Sequence, residues 1–336
     1  MLRYILLDPL SLSEQHWKEF YELSLRFSKD YHEALPVDLA SFRHDRIQRI
    51  STQDLSIHLL MKDERIIGYT RYWIINKGHP AQSNSLHCYV PDEYFFEGVE
   101  TLVAGSILER MTAHKHDKCV WRVMQPSMKN IAEKLNGRLS NSGLWFRLDP
   151  HSVKKELLEA WLNNPHVTSE DLKAEWMGFI PEHLLEEVAI VSNVMVNDME
   201  RQDRSIPFHV DAQYLRNAQQ NTRGAGQKPL HLLLRNKNNE LAAISLVLMQ
   251  ENSFMADQRI TGVMPKWRGK GLAKWMKAKM LEKLLREYPH ITTLKTECFS
   301  ANIPMININK ALGYELYRSD HDYFLRREEL ETILSK

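Results

Sequence analysis

Apolar and polar positions alternate along this chain with two periods, and the switches between them predict its elements. From Ser13 to Leu35 apolar residues recur every three or four positions, with Ser11 or Ser13 as a capping residue, which predicts a helix. A second helix is expected from Asp38 to Ile50. Leu55 to Leu60 and Ile66 to Ile75 read as strands joined by a turn at Asp63-Glu64, and Ser85 to Val90 as a third strand. A helix from Gly98 to His114, a strand from Cys119 to Met124, a helix from Met128 to Leu135 and a strand from Leu144 to Leu148 complete the first half.

Asp149-Pro150 then breaks the pattern. A short helical piece follows from Val153 to Leu162, and Asn163-Asn164-Pro165 breaks it again. Beyond this point the same order returns. Helices are expected from Pro181 to Asp198 and from Val210 to Gln220. His231 to Arg235 and Leu241 to Met249 form a hairpin around Asn236-Lys237-Asn238-Asn239. A strand ending at Val263, a helix from Leu272 to Tyr288, a strand from Thr293 to Cys298, a closing helix from Asn302 and a strand at Tyr323-Phe324-Leu325 follow. The repeated order reads as an internal duplication of a mixed α+β unit, with hairpins before a βαβ crossover. The expected division is 1–150, a linker at 151–168, and 169–336.

The richest local chemistry lies between the strand at Val263 and the helix at Leu272, in Arg268-Gly269-Lys270-Gly271-Leu272-Ala273. A strand, a glycine-containing turn and a helix N-terminus offer unpaired N–H groups and the positive end of a helix dipole. Gly269 and Gly271 permit close backbone approach, and Arg268 and Lys270 add charge, so a diphosphate is the expected guest. The spacing fits neither a Walker loop nor a dinucleotide fingerprint. Lys270, Lys274, Lys277, Lys279 and Lys283 form a local basic cluster, which reads mainly as a solvated face with one or two members reaching a phosphate.

The string resembles the coenzyme A pyrophosphate loop of the GNAT acetyltransferase superfamily, with Arg268, Gly271 and Ala273 at its signature positions and Val263-x-Pro265 before it. Asn302-Ile303-Pro304-Met305-Ile306-Asn307-Ile308-Asn309-Lys310-Ala311-Leu312-Gly313-Tyr314 resembles that family's closing helix and its Leu-Gly-Phe/Tyr signature. The resemblance implies two tandem GNAT-like domains, each a mixed, largely antiparallel sheet flanked by helices. The second half is most similar to the mycothiol synthase-like branch, although fold analogy alone does not carry mycothiol synthesis over. Aligning Val263-Met264-Pro265 with Tyr89-Val90-Pro91 puts Tyr94-Phe95-Phe96-Glu97 in the loop position of the first half, where large side chains and a carboxylate oppose a diphosphate. Gly98 restores part of a loop if that alignment slips. The first half is therefore expected to be a degenerate domain without cofactor, and the second to bind one acetyl-CoA.

Composition narrows the alternatives. In 336 residues, Lys+Arg number 44 and Asp+Glu 43, so no global field favours nucleic acid. Cys88, Cys119 and Cys298 do not make a disulfide framework, and no Cys/His spacing suggests a metal. The start lacks a signal-peptide pattern and no run is long enough to span a bilayer, so a cytoplasmic protein without membrane or metal partners is expected.

The implied reaction is direct transfer of acetyl from acetyl-CoA to the primary amine of a small molecule, which needs a neutral amine, a polarised carbonyl and a proton for the thiolate. A peptide or protein amine, or binding without catalysis, are the alternatives, and oligomeric state stays open. The resemblance assigns the thioester oxygen to a main-chain N–H at Val263 or Met264, the diphosphate to Arg268 through Ala273, and the cofactor arm to Asn302. Asn309 stands where many members carry a tyrosine acid; an amide cannot serve, so the acid is unassigned. Tyr314 reads as a packing aromatic. Glu297 is the first candidate base and Asp257 the second; Cys298 reads as a buried small hydrophobe rather than a nucleophile.

Overall fold

A computed structural model describes residues 1–31, 38–51, 55–75, 83–202, 209–251 and 253–335. Its first half contains β1 (Leu2–Leu6), α1 (Glu14–Asp30), α2 (Leu39–Ser51), β2 (Leu55–Lys62), β3 (Arg65–Ile75), β4 (Ser83–Tyr89), α3 (Val99–Ala113), β5 (Lys118–Val123), α4 (Pro126–Lys134) and β6 (Arg138–Leu148). Then come α5 (Lys155–Leu162), α6 (Pro165–Ser169), β7 (Lys173–Met177), α7 (Leu185–Asp198), α8 (Ala212–Gly224), β8 (Gln227–Arg235) and β9 (Leu241–Gln250). The chain closes with β10 (Met255–Val263), α9 (Leu272–Glu287), β11 (Thr293–Phe299), α10 (Ile303–Leu312), β12 (Glu315–Arg326) and α11 (Arg327–Leu334). Of the two candidate caps, Ser11 and Ser13, it is Ser13 that caps α1, accepting a hydrogen bond from the His16 N–H. Leu35, the expected end of that helix, lies outside the described residues.

The chain forms two compact units. One comprises Met1–Ser142 with Ser319–Lys336, the other Gly143–Arg318. In the first unit the strand order is β1-β2-β3-β4-β5-β12; β4 and β5 are parallel and every other neighbouring pair is antiparallel. In the second the order is β7-β8-β9-β10-β11-β6, with β10 and β11 the one parallel pair. The two orders are the same plan. Each sheet is largely antiparallel, with helices on both faces and a core on each face: Trp17, Phe20 and Tyr69 under α1 and α2, Val103, Ile107 and Trp121 under α3. In the second unit α9 and α10 cover Leu294, Cys298 and Met276, while α7 and α8 cover Leu233, Ile244 and Met195.

The closing strands differ from the sequence division at residue 150. The sheet of the first unit ends on β12, whose His321–Arg326 pair with Val123–Lys118. The sheet of the second ends on β6, whose Gly143–Leu148 pair with Phe299–Leu294. Each half of the sequence thus contributes its last strand to the other unit. The stretch 151–168, expected as a linker, is α5 and the start of α6 and belongs to the second unit. Leu158 is buried there, and Trp161 packs on the same core as Trp275.

Candidate active site

The strand-loop-helix read from the sequence is present. β10 ends at Val263, Pro265–Trp267 make one 3₁₀ turn, and α9 starts at Leu272 with Gly271 as its N-cap. Gly269 and Gly271 have φ of 76° and 72°, the left-handed region that a side chain strains. The chain enters the helix through these two left-handed glycines, and the first N–H groups of α9 have no carbonyl of their own helix to bond.

The basic residues of the loop are held by neighbours of the same unit. Arg268 donates from Nε to the Val263 carbonyl (3.0 Å) and pairs with Asp198 at the end of α7 (3.3 Å). Lys270 pairs with Glu170 (2.7 Å) over the Trp267 ring, and its carbonyl accepts from Asn164 Nδ2 (2.9 Å). The segment between the halves therefore braces the loop, a contact the sequence did not indicate.

The strands beside the loop part from one another. Pairing of β10 with β11 runs from Met255–Thr293 to Gln258–Thr296 and stops, although β10 continues to Val263 and β11 to Phe299. A register shift between Gln258 and Ile260 against β9 turns β10 away at this point. The result is a wedge open at the C-terminal ends of two parallel strands. The Met264 N–H is taken by the Ala242 carbonyl (2.9 Å). Backbone N–H groups alternate in direction along a strand, so the Val263 N–H points to the opposite edge, toward the wedge. Of the two residues proposed for a carbonyl oxygen, Val263 has the fitting direction and Met264 does not.

The wedge belongs to a cleft of about 560 Å³. Arg268, Gly269, Gly271, Leu272, Ala273 and Lys274 line its loop end; Thr261, Gly262, Val263, Glu297 and Cys298 line the wedge; Met195, Asp198 and Glu200 line the α7 end; Asn302, Met305 and Ile308 form a further wall. The cleft therefore meets both faces of the sheet. Successive strand residues face opposite sides. Cys298 packs with the α9–α10 core, so Glu297 faces the α7 side. Gly143 leaves room for it: a Cβ there would lie 2.5 Å from Glu297 Oε1.

The remaining expected residues divide. Asn302 lines the cleft and also caps α10, its side-chain oxygen accepting from the Met305 N–H (3.3 Å). Asp257 stands earlier on β10, outside the cleft lining and ion-paired with the buried Lys295 (3.3 Å). Lys270 also points away from the cleft, toward Glu170. Burial pushes the Cys298 thiol up to about 11, so it stays protonated near neutrality. The Tyr314 phenol, 4% exposed, is also raised by burial and donates to Gln258 Oε1 (3.0 Å). Among the described residues no group of three or more His, Cys, Asp or Glu is arranged to hold a metal ion.

One cleft residue departs from its expected role. Lys277, read with the solvated lysines of α9, is 2% exposed. It lines the cleft, donates to Gln258 Oε1 (2.7 Å), and stands 5.2 Å from the centre of the Tyr314 ring. Burial lowers its amine to about 7. Gln258 completes the network by donating to Thr261 Oγ1 (3.1 Å) and Ser245 Oγ (3.3 Å).

In the first unit the corresponding loop is one residue longer, and the alignment drawn from sequence slips. Gly98, with φ of 92°, caps α3 as Gly271 caps α9, so Phe96 and Glu97 stand in place of Gly269 and Lys270. Tyr94, Phe95 and Phe96 pack on the hydrophobic core. Pairing of β4 with β5 likewise stops, at His87–Arg122. There Gln125, the residue before α4, ties the strand ends together by donating to the Val90 carbonyl (2.6 Å) and to Asp92 (3.0 Å). Asn302 holds the matching place before α10, beside an open wedge.

No protein-family model and no curated protein matches the chain. Solved structures do. A tandem GNAT protein from the clavulanic acid biosynthesis pathway superposes with a TM-score of 0.73 at 18% identity, over 97% of this chain and 99% of that one. A GCN5-related N-acetyltransferase from Sphaerobacter thermophilus gives 0.65 at 12% identity, over 97% and 96%. The glucosamine N-acetyltransferase region of a fungal multi-domain β-N-acetylglucosaminidase gives 0.65 at 13% identity, over 96% of this chain and 38% of that one. These superpositions over nearly the whole length, with the strand order repeated in the two units, establish that this chain has the tandem GNAT fold.

Proposed function

We propose that the second unit transfers an acetyl group from acetyl-CoA directly to the primary amine of a small molecule. The observation that carries this reading is the continuity of the cleft from the Arg268–Ala273 loop, through the β10–β11 wedge, to the α7 face. An anion-binding helix start at one end suits the diphosphate. The wedge accommodates an extended arm, and the Val263 N–H direction suits a thioester oxygen. On the α7 side Glu200 and Glu297 favour a cationic acceptor, whereas Asp198 is already paired with Arg268 of the loop.

In this reading Asn302 supports the cofactor arm and Glu297, on the acceptor side, takes the proton of the attacking amine. Asp257, tied to Lys295, is set aside as a base. The first unit keeps a structural role.

Calorimetry with acetyl-CoA tests the first half of the proposal. A stoichiometry near one per chain is expected, and two equivalent sites or no binding would refute it. A thiol-release screen over polyamines, amino sugars, amino acids and peptides tests the second half. Turnover on peptides alone would replace the small-molecule reading by the protein one.

A further inference from the structure

We infer that Lys277 is the proton donor to the departing thiolate, the acid that the sequence leaves unassigned. The inference rests on the acyl-transfer reading of the cleft.

The position of Lys277 argues for it. The ammonium group lies at the closed end of the wedge, bonded to Gln258, the last β10 residue paired with β11. It faces the α9–α10 side of the sheet, the side of Cys298, whereas Glu297 faces the α7 side. A cofactor entering at the N-terminus of α9 and running into the wedge brings its sulfur along the side that Lys277 occupies. An acceptor approaching from α7 meets Glu297. The two titratable groups are therefore separated by the sheet, one for each proton.

The surroundings leave Lys277 the fitting group. Among the described residues the titratable side chains facing it are Cys298 from β11 and Tyr314 following α10; burial holds both neutral near pH 7. Gln258 Oε1 accepts from both Lys277 and Tyr314, which fixes the amine without supplying a counter-charge. A buried ammonium without a carboxylate partner is costly, and a thiolate formed beside it relieves that cost. Asn309, at the place of the common tyrosine, is fully buried, with neither side-chain polar atom hydrogen-bonded, and offers no acidic proton. In the transfer, the neutral acceptor nitrogen forms the C–N bond and loses its extra proton to Glu297 or water. The C–S bond breaks with its electron pair on sulfur, and the Lys277 ammonium protonates that sulfur. The amine left behind regains a proton from solvent.

The test reads the sulfur directly. Coenzyme A bound to wild type, Lys277→Met and Lys277→Arg is titrated by thiolate absorbance in the ultraviolet, after calorimetry has measured its affinity for each. In the wild type the bound thiol is expected to ionise at least one pH unit below its value in Lys277→Met. Lys277→Arg, which keeps the charge, should retain the low value, yet should not rescue turnover because it cannot give up its proton near neutrality. Equal thiol titrations in wild type and Lys277→Met, with binding intact, would overturn the role of Lys277 and leave the acyl-transfer reading standing. Absence of coenzyme A binding to the wild type would overturn both. Acetyl recovered on Lys277 by peptide mass spectrometry would make it a nucleophile and likewise overturn the inference.

Discussion

Lys277 also makes a statement about stability at the scale of the residue. Its amine is lowered to about 7 in the folded chain, against an ordinary lysine near 10.4 when unfolded. Between those values the unfolded chain binds more protons, so folding stability rises with pH through that window; at lower pH the penalty is present in full. Lys277→Met removes it. The variant is expected to be more stable than wild type at pH 6, by on the order of 1–4 kcal/mol as for other buried ionic groups replaced by apolar ones. The gap should close toward pH 10. Denaturant melts at the two pH values measure it, and a pH-independent gap would show that the folded amine is not depressed. This residue was hidden in the sequence for a physical reason. Lys274 on the same helix is exposed, and nothing in the spacing of these lysines marks Lys277 as different. α9 is buried on a broad arc, Trp275 through Ala278, because it packs on the sheet and on α5, and only the fold reveals the second contact. Gly269 and Gly271, by contrast, were legible because backbone geometry restricts which residue types such a turn accepts, and Asn302 was legible only through the resemblance of its segment to the GNAT closing helix.

At the scale of elements, long amphipathic helices and hairpin strands were readable, and short edge strands were not. β1 and β7 have five residues each, too few to display an alternation, and β7 directly follows the segment expected to be a linker. That segment has a role at the site. Asn164 donates to the Lys270 carbonyl, and its amide nitrogen lies 3.0 Å from where a Cβ on Gly271 would stand, so it supports the loop in its left-handed path. Asn164→Ala removes this hydrogen bond and also the α6 cap, in which Asn164 Oδ1 accepts from the His166 N–H (2.9 Å), with an expected stability loss of about 1–3 kcal/mol. The larger effect should fall on the ligand, because a loop that samples other paths binds an anion only in the fraction of molecules that retain this one. Acetyl-CoA affinity is expected to fall roughly 3- to 10-fold, the ratio a loss near 1 kcal/mol gives when the loop alone bears it. Calorimetry on the variant decides: unchanged affinity would mean that the glycines fix the loop unaided.

At the scale of the whole molecule, the repeat was visible but the ownership of its last strands was not. Periodicity shows that Leu144–Leu148 and Tyr323–Leu325 are strands; pairing partners depend on tertiary structure, and each strand closes the sheet of the unit begun by the other half. This gives a sharp expectation for the chain cut at residue 150. The fragment 1–150 lacks β12 and α11, and with them Tyr323, Leu325 and Leu330, all buried in the core under α3. Burying one large apolar side chain is worth roughly 1.5–3 kcal/mol, so the loss approaches the 5–15 kcal/mol by which a domain is usually stable. The complementary fragment 151–336 lacks Phe146 and Leu148 from its core and leaves β11 with an unpaired edge. Neither fragment should fold alone. Mixed in equal amounts, they regain every missing strand and should yield a folded, acetyl-CoA-binding complex. Proton spectra of each fragment and of the mixture test this, and a dispersed spectrum with a cooperative melt from 1–150 by itself would show that β12 is dispensable to the first unit.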